Sequence, residues 1–95
     1  MNPIVVKFGG SSLATAAQFE KVAAIIREAP ARRYVVASAP GKRFDGDTKV
    51  TDLLYRCYDA ACAGQEFAPV LDEIRQRFAD IIGALRLSAN LEPDF

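Results

Sequence analysis

Two short apolar runs, PIVVKF at residues 3–8 and RYVVAS at residues 33–38, dominate what this chain can become. Both are rich in β-branched and aromatic residues and almost continuously hydrophobic. That pattern fits strands buried on both faces, as in parallel sheets, better than the alternation of a half-exposed strand. One amphipathic segment separates them. Thr15 and Gln18 have the spacing of a helix-capping box, and Phe19, Val22, Ala23 and Ile26 follow at helical intervals. Pro30 stops that helix, because the residue before a proline is pushed out of the helical region. Strand, helix, strand predicts a right-handed βαβ unit with parallel strands.

The loop APGKRFDGDTK follows, with a proline, two glycines and five charges. Helical periodicity returns near Lys49 with Val50, Leu53, Leu54, Cys57 and Ala61, and Gly64 is placed to close that helix. A second run, Phe67, Val70, Leu71, Ile74, Phe78, Ile81, Ile82 and Leu85, makes an apolar stripe roughly five turns long. The tail SANLEPDF is polar and shows no pattern. A two-stranded sheet is marginal on its own and leaves both edges open. The expectation is a single α/β unit that forms the front of a larger domain, or one completed by self-association into a homo-oligomer.

Composition narrows the chemistry. Twelve basic and twelve acidic residues cancel, which argues against nucleic acid or an anionic membrane as the main partner. Histidine is absent, which removes the commonest general base and metal ligand. Asp45, Asp47 and Asp59 show no metal-ligand spacing and read as solvated, so no metal site is expected from the protein's own side chains. Cys57 and Cys62 lie five apart, too far for a disulfide within one helix, and read as reduced and mostly packed. The apolar start is short and is broken by Lys7, so it is neither a signal peptide nor a membrane span.

The residues able to carry chemistry gather where strands end. Lys7 closes the first strand and precedes Gly9, Gly10, Ser11 and Ser12. The carboxyl ends of parallel strands are where α/β sheets bind ligands. There an amine, two glycines that admit close backbone approach and two hydroxyls make a phosphate cradle. The same residues also suit an ordinary βα turn with Lys7 snorkelling its amine to water. Neither the Walker pattern nor the dinucleotide fingerprint is present. Ser38 ends the second strand at the same edge, or is a plain strand-ending serine. Thr51 or Asp52 stands ready to cap the next helix or to serve a ligand at its amino terminus.

VVKFGGSSLA, YVVASAPGKR and DTKVTDLLY together resemble the amino-terminal region of aspartate kinases, in the amino acid kinase superfamily. The resemblance is firm from about Ile4 to Leu54 and weaker beyond. KFGGSS is shared loosely with kinases of glutamate, acetylglutamate, carbamate and uridylate; the SAPGKR and KVTDLL segments are more particular. The resemblance implies the amino-terminal portion of a three-layer αβα sandwich. It implies phosphoryl transfer from ATP, with Mg held mainly by the phosphates, to the side-chain carboxylate of L-aspartate. That step opens lysine, threonine and methionine biosynthesis in the cytoplasm. By position, Lys7 would be catalytic, Gly9, Gly10, Ser11 and Ser12 would hold phosphates with it, and Ser38 and Thr51 would hold aspartate. The family's later Gly-Arg-Gly-Gly-Ser-Asp segment, substrate glutamate, base pocket and ACT domains are not in these residues. The expectation is a truncated catalytic domain, inactive alone. The alternatives are a self-associating non-catalytic module, or part of a glutamate or acetylglutamate kinase.

Overall fold

The computed structural model describes residues 2–95. They form two compact units, Met1–Lys49 and Val50–Phe95. In the first, strand β1 (Ile4–Phe8) leads through a 3-10 turn (Gly10–Leu13) to helix α1 (Ala16–Glu28), and the chain returns as strand β2 (Arg32–Ala37). β1 and β2 pair in parallel, with Val6 opposite Val35, Lys7 opposite Val36 and Phe8 opposite Ala37. The register slips between Ile4 and Val5, whose partners are Arg32 and Tyr34. This is the expected βαβ order, with β2 beginning one residue earlier than the pattern suggested.

Local sequence sets the ends of α1. The Thr15 hydroxyl accepts a hydrogen bond from the Gln18 amide (3.3 Å), satisfying one of the orphan donors of the first turn. At the other end Ala29, before Pro30, has left the helix for an extended conformation. The inner face of α1 packs Val22, Phe19 and Ile26 against Phe8, Val6 and Leu13. That cluster covers only one face of the sheet. The opposite face presents Val5, Tyr34 and Val36, each more than half exposed. The apolar runs expected of interior strands are there, and within the first unit α1 covers one face of the sheet, as expected of the front of a larger domain.

The second unit is a helix pair. Helix α2 (Val50–Cys62) and helix α3 (Ala68–Leu85) pack on each other. Gly64, at φ 68°, ends α2 as expected, with the Gln65 amide bonded back to the Ala60 carbonyl (2.8 Å). α3 ends by the same device without a glycine. Arg86 sits in the left-handed region at φ 55°, and the Leu87 amide reaches the Ile82 carbonyl (3.0 Å). A left-handed non-glycine residue costs about 1 kcal/mol.

Several side chains depart from the sequence-based expectation. On α2, Val50 and Leu53 are buried, but Leu54 is exposed and joins Tyr55 and Tyr58 on the outer face. On α3, Arg77 is buried on the face shared with Ile74 and Ile81, where the apolar stripe gave no hint of a charge. Cys57 is half-buried, but Cys62 is exposed and not packed as expected; both are free thiols. The tail is not patternless. Residues Glu92–Asp94 form a 3-10 turn, Glu92 lies 3.2 Å from the Arg75 Nε, and the Phe95 ring tilts against Phe78. None of the helices among the described residues is long and apolar enough to cross a membrane.

Candidate functional site

β1 and β2 end together, and the parallel register decides what they display there. Paired residues of parallel strands point to the same face. Phe8 and Val6 point into the α1-covered core. Lys7 therefore belongs to the open face, at the level of Val36. The Ser38 amide donates to the Phe8 carbonyl (3.0 Å), carrying the ladder one residue past β2. Continued alternation puts Ser38 on the same open face as Lys7, and both are exposed. The structure thus brings an amine and a hydroxyl to one sheet face beside the glycine turn.

The turn itself is tighter than a loop. Gly10–Leu13 is a 3-10 helix, and the Ser12 amide bonds to the Gly9 carbonyl (3.1 Å). The first amides of such a helix, those of Gly10 and Ser11, have no partner inside it. Gly9 is extended, and a Cβ built there would meet nothing within 4 Å. No contact inside the chain demands a glycine at that position. Gly10 is different: a Cβ there would come within 3.2 Å of the Ala39 carbonyl oxygen and the Gly41 Cα.

The loop after β2 docks onto this turn. The Gly41 amide donates to the Gly10 carbonyl (2.7 Å), and a Cβ at Gly41 would lie 2.6 Å from the Gly10 carbonyl carbon and 2.8 Å from the Ser11 nitrogen. Farther along, Arg43 grips Asp47. Its Nε and Nη2 reach the two carboxylate oxygens at 2.7 and 3.0 Å, and its own amide donates to Oδ2 (2.9 Å). The Asp47 side chain is only 8% exposed. The Arg43 hydrogen bonds, joined by amides of Arg43 and Thr48, hold its carboxyl well below the usual carboxylate range, against the opposing effect of burial. Asp47 is thus corrected from a solvated residue to the anchor of its loop; Asp45 and Asp59 are exposed as expected.

Thr51 falls in the second unit, exposed in the first turn of α2. The helix already begins at Val50, so neither Thr51 nor Asp52 caps it; Asp52 instead places a negative charge near the helix's positive end. Lys7, Gly9, Gly10, Ser11, Ser12 and Ser38 all belong to the first unit. Among the described residues no three His, Cys, Asp or Glu side chains gather as a metal cluster. Sequence reasoning missed Gly41 as a contact and Arg43 with Asp47 as a clamp. The Asp-Gly-Asp turn signal was visible, but its partner was not.

Comparison with known proteins identifies relatives of the chain. The model of the amino acid kinase family matches residues 2–91. Aspartokinase 3 of Bacillus subtilis (strain 168) is 46% identical over 87 residues, which cover 92% of this chain and 19% of that protein. The crystal structure of Clostridium acetobutylicum aspartate kinase, described as an allosteric enzyme, is similar with a TM-score of 0.95 and 41% identity, over 99% of this chain and 22% of that one. The chain spans about a fifth of the length of each of these relatives. Matched over nearly its whole length by the family model, the chain belongs to the amino acid kinase family.

Proposed function

We propose that residues 2–95 supply the phosphate turn and part of the acceptor side of an aspartate kinase, which transfers the γ-phosphoryl group of ATP to the side-chain carboxylate of L-aspartate. The observation that carries this reading is the common placement of Lys7, the Gly9–Ser12 turn and Ser38 at one sheet edge, in a chain 46% identical to an aspartokinase. In the proposed reaction a carboxylate oxygen of aspartate attacks the γ-phosphorus. The bond to the β–γ bridging oxygen breaks, and ADP leaves. Such a transfer needs charge stabilisation and alignment, not a covalent protein intermediate, so the lack of histidine is no obstacle.

Each residue takes a role suited to its chemistry. The exposed Lys7 amine neutralises charge on the transferring phosphoryl group. The amides of Gly10 and Ser11, with the hydroxyls of Ser11 and Ser12, donate to phosphate oxygens. Gly9 keeps its glycine because the space beside it belongs to the nucleotide, which fits the empty surroundings of its Cβ position. Ser38 and Thr51 hold aspartate. The described residues offer no carboxylate cluster for a cation, so Mg2+ would be held mainly by the nucleotide's own phosphates. The setting is the cytoplasm, where ATP is plentiful and the thiols of Cys57 and Cys62 stay reduced. The test is ADP release by the full-length natural chain carrying these residues, with aspartate, glutamate and acetylglutamate offered in turn. Aspartate-dependent release is expected; release with glutamate or acetylglutamate alone overturns the assignment.

A second reading is self-association, favoured by the exposed Val5, Tyr34 and Val36 and by two open strand edges. Sedimentation of the 95-residue chain tests it. A dimer or larger species is expected, and a folded monomer at high concentration removes the reading.

A further inference from the structure

The Gly10–Gly41 contact joins two loops that the proposed chemistry treats separately. One holds phosphate donors, Gly10 and Ser11; the other begins at Ser38 on the acceptor side. Their backbones touch so closely that Gly41 has no room for a side chain without a backbone shift, and a Cβ at Gly10 would press its neighbours by a few tenths of an ångström. We propose that Gly41 is a positioning residue: its backbone, seated on the Gly10 carbonyl, fixes the phosphate turn and locks it in register with the loop that follows Ser38. The inference rests on the proposed phosphate role of the turn and adds a residue that touches no substrate.

The physical case has three parts. The contact is between backbone atoms, so a clash there cannot be relieved by turning a side chain. The hydrogen bond is short, with the Gly41 amide 2.7 Å from the Gly10 oxygen, and it directs that carbonyl toward the loop. The loop carrying Gly41 is itself stiff. Arg43 and Asp47 close its far end through two side-chain bonds and one backbone bond, Arg43 stacks over Phe44 (5.7 Å), and the Asp47 amide returns to the Phe44 carbonyl (3.1 Å). A loop clamped in this way transmits a displacement at Gly41 to the turn and does not absorb it.

The glycines give a graded test in the full-length natural chain. Gly41→Ala creates contacts under 3 Å, Gly10→Ala creates contacts of 3.2–3.3 Å, and Gly46→Ala meets nothing within 4 Å although its φ of +86° strains the loop. Amide exchange at Ser12, whose bond to Gly9 closes the turn, reads the geometry; kcat and KM for ATP and aspartate read the consequence. In Gly41→Ala, Ser12 exchange should quicken on the order of tenfold, and kcat should fall ~10–100-fold, as expected when reacting groups are displaced by a fraction of an ångström to an ångström. Gly10→Ala should show a smaller effect of the same kind, and it serves if Gly41→Ala does not fold. Gly46→Ala should lower the thermal midpoint while leaving Ser12 exchange and kcat within about threefold, because it costs only local backbone strain. Unchanged Ser12 exchange in both Gly41→Ala and Gly10→Ala overturns the inference, as does an equal effect from Gly46→Ala. Should the unaltered protein fail to phosphorylate aspartate, the proposed function falls, and the exchange series still decides whether Gly41 sets the turn.

Discussion

The two units of this chain are held together by different means. In Met1–Lys49 the candidate site is shaped by backbone: a parallel ladder, a 3-10 turn and a glycine pressed on a glycine. In Val50–Phe95 side chains dominate, with α2 on α3, a buried arginine and a tail pinned by one ion pair and two aromatic contacts. Backbone contacts have few alternative arrangements, whereas side chains can rotate and repack. The difference teaches where precision is located. On the proposed function, the groups set against the phosphates sit where the main chain is over-determined, whereas the helix pair, which carries Thr51, is held together by side-chain packing.

Lys7→Ala is the sharpest test of that division. Lys7 is exposed and stands outside the buried core, so the full-length protein should keep its fold. With Lys7 in its proposed role at the phosphoryl group, its removal should lower kcat ~100–1000-fold. Turnover measured beside circular dichroism checks this. Near-normal turnover would return Lys7 to a snorkelling amine and leave the first unit without special claim.

Leu53→Ala probes the other side. Leu53 is 2% exposed, and truncating it should cost ~2–4 kcal/mol of local stability through lost burial and a cavity. Native-state hydrogen exchange of α2 amides in the full-length protein should show the loss, with kcat changed less than about threefold at low temperature. A collapse of turnover in step with stability would break the comparison, because side-chain packing in the helix pair would then govern turnover as closely as the backbone of the first unit.

How much of this was legible in the sequence depends on the reach of each signal. The start of α1 was, because Thr15 and Gln18 are three apart and act on each other. Its end was, because Pro30 acts on its neighbour. The helix pair was found to within a residue or so from periodicity alone. Leu54 lies on α2 as its spacing suggested, but helical spacing admits a wide stripe, and only the packing of α2 makes Val50 and Leu53 its buried centre. The tail was missed because Glu92 and Phe95 need Arg75 and Phe78, which no local pattern links to them. Lys7 and Ser38 were recognised as neighbours because parallel strands align their ends. Gly41 was seen only as a loop glycine, since its contact with Gly10 is made by backbone atoms that every sequence carries.

Asp47→Asn tests whether the clamp belongs with the backbone-built region. At neutral pH the loss of a bidentate pair with the partly exposed Arg43 should cost about 1 kcal/mol of loop stability. The sign with pH follows from the depressed carboxyl. Its contribution is complete above the ordinary carboxylate range near pH ~4 and is lost as pH falls below it toward the folded-state value. The gap between the two proteins, read from exchange at the Asp47 amide, should therefore be constant from about pH 5 upward and shrink in acid. A gap that persists in strong acid would mean that shape, not charge, holds the loop.

The smallest effect is expected at the tail. The Arg75 and Glu92 side chains are 35% and 62% exposed, so water screens the pair and the Glu92 side chain gives up rotamer freedom to form it. Glu92→Gln should cost less than about 1 kcal/mol, and that little should fade as salt rises toward 1 M, where screening acts within about 3 Å. Phe95 has the firmer hold, because its ring lies 6.3 Å from Phe78 and beneath the Arg75 guanidinium at 5.5 Å, contacts that salt does not dissolve. Exchange at the Phe95 amide, which bonds to the Glu92 carbonyl (3.1 Å), reads both. Protection that survives Glu92→Gln and high salt but not Phe95→Ala would show the tail held by its aromatic contacts. Protection that vanishes with the charge alone would make this the one place in the second unit where a single polar pair sets the structure.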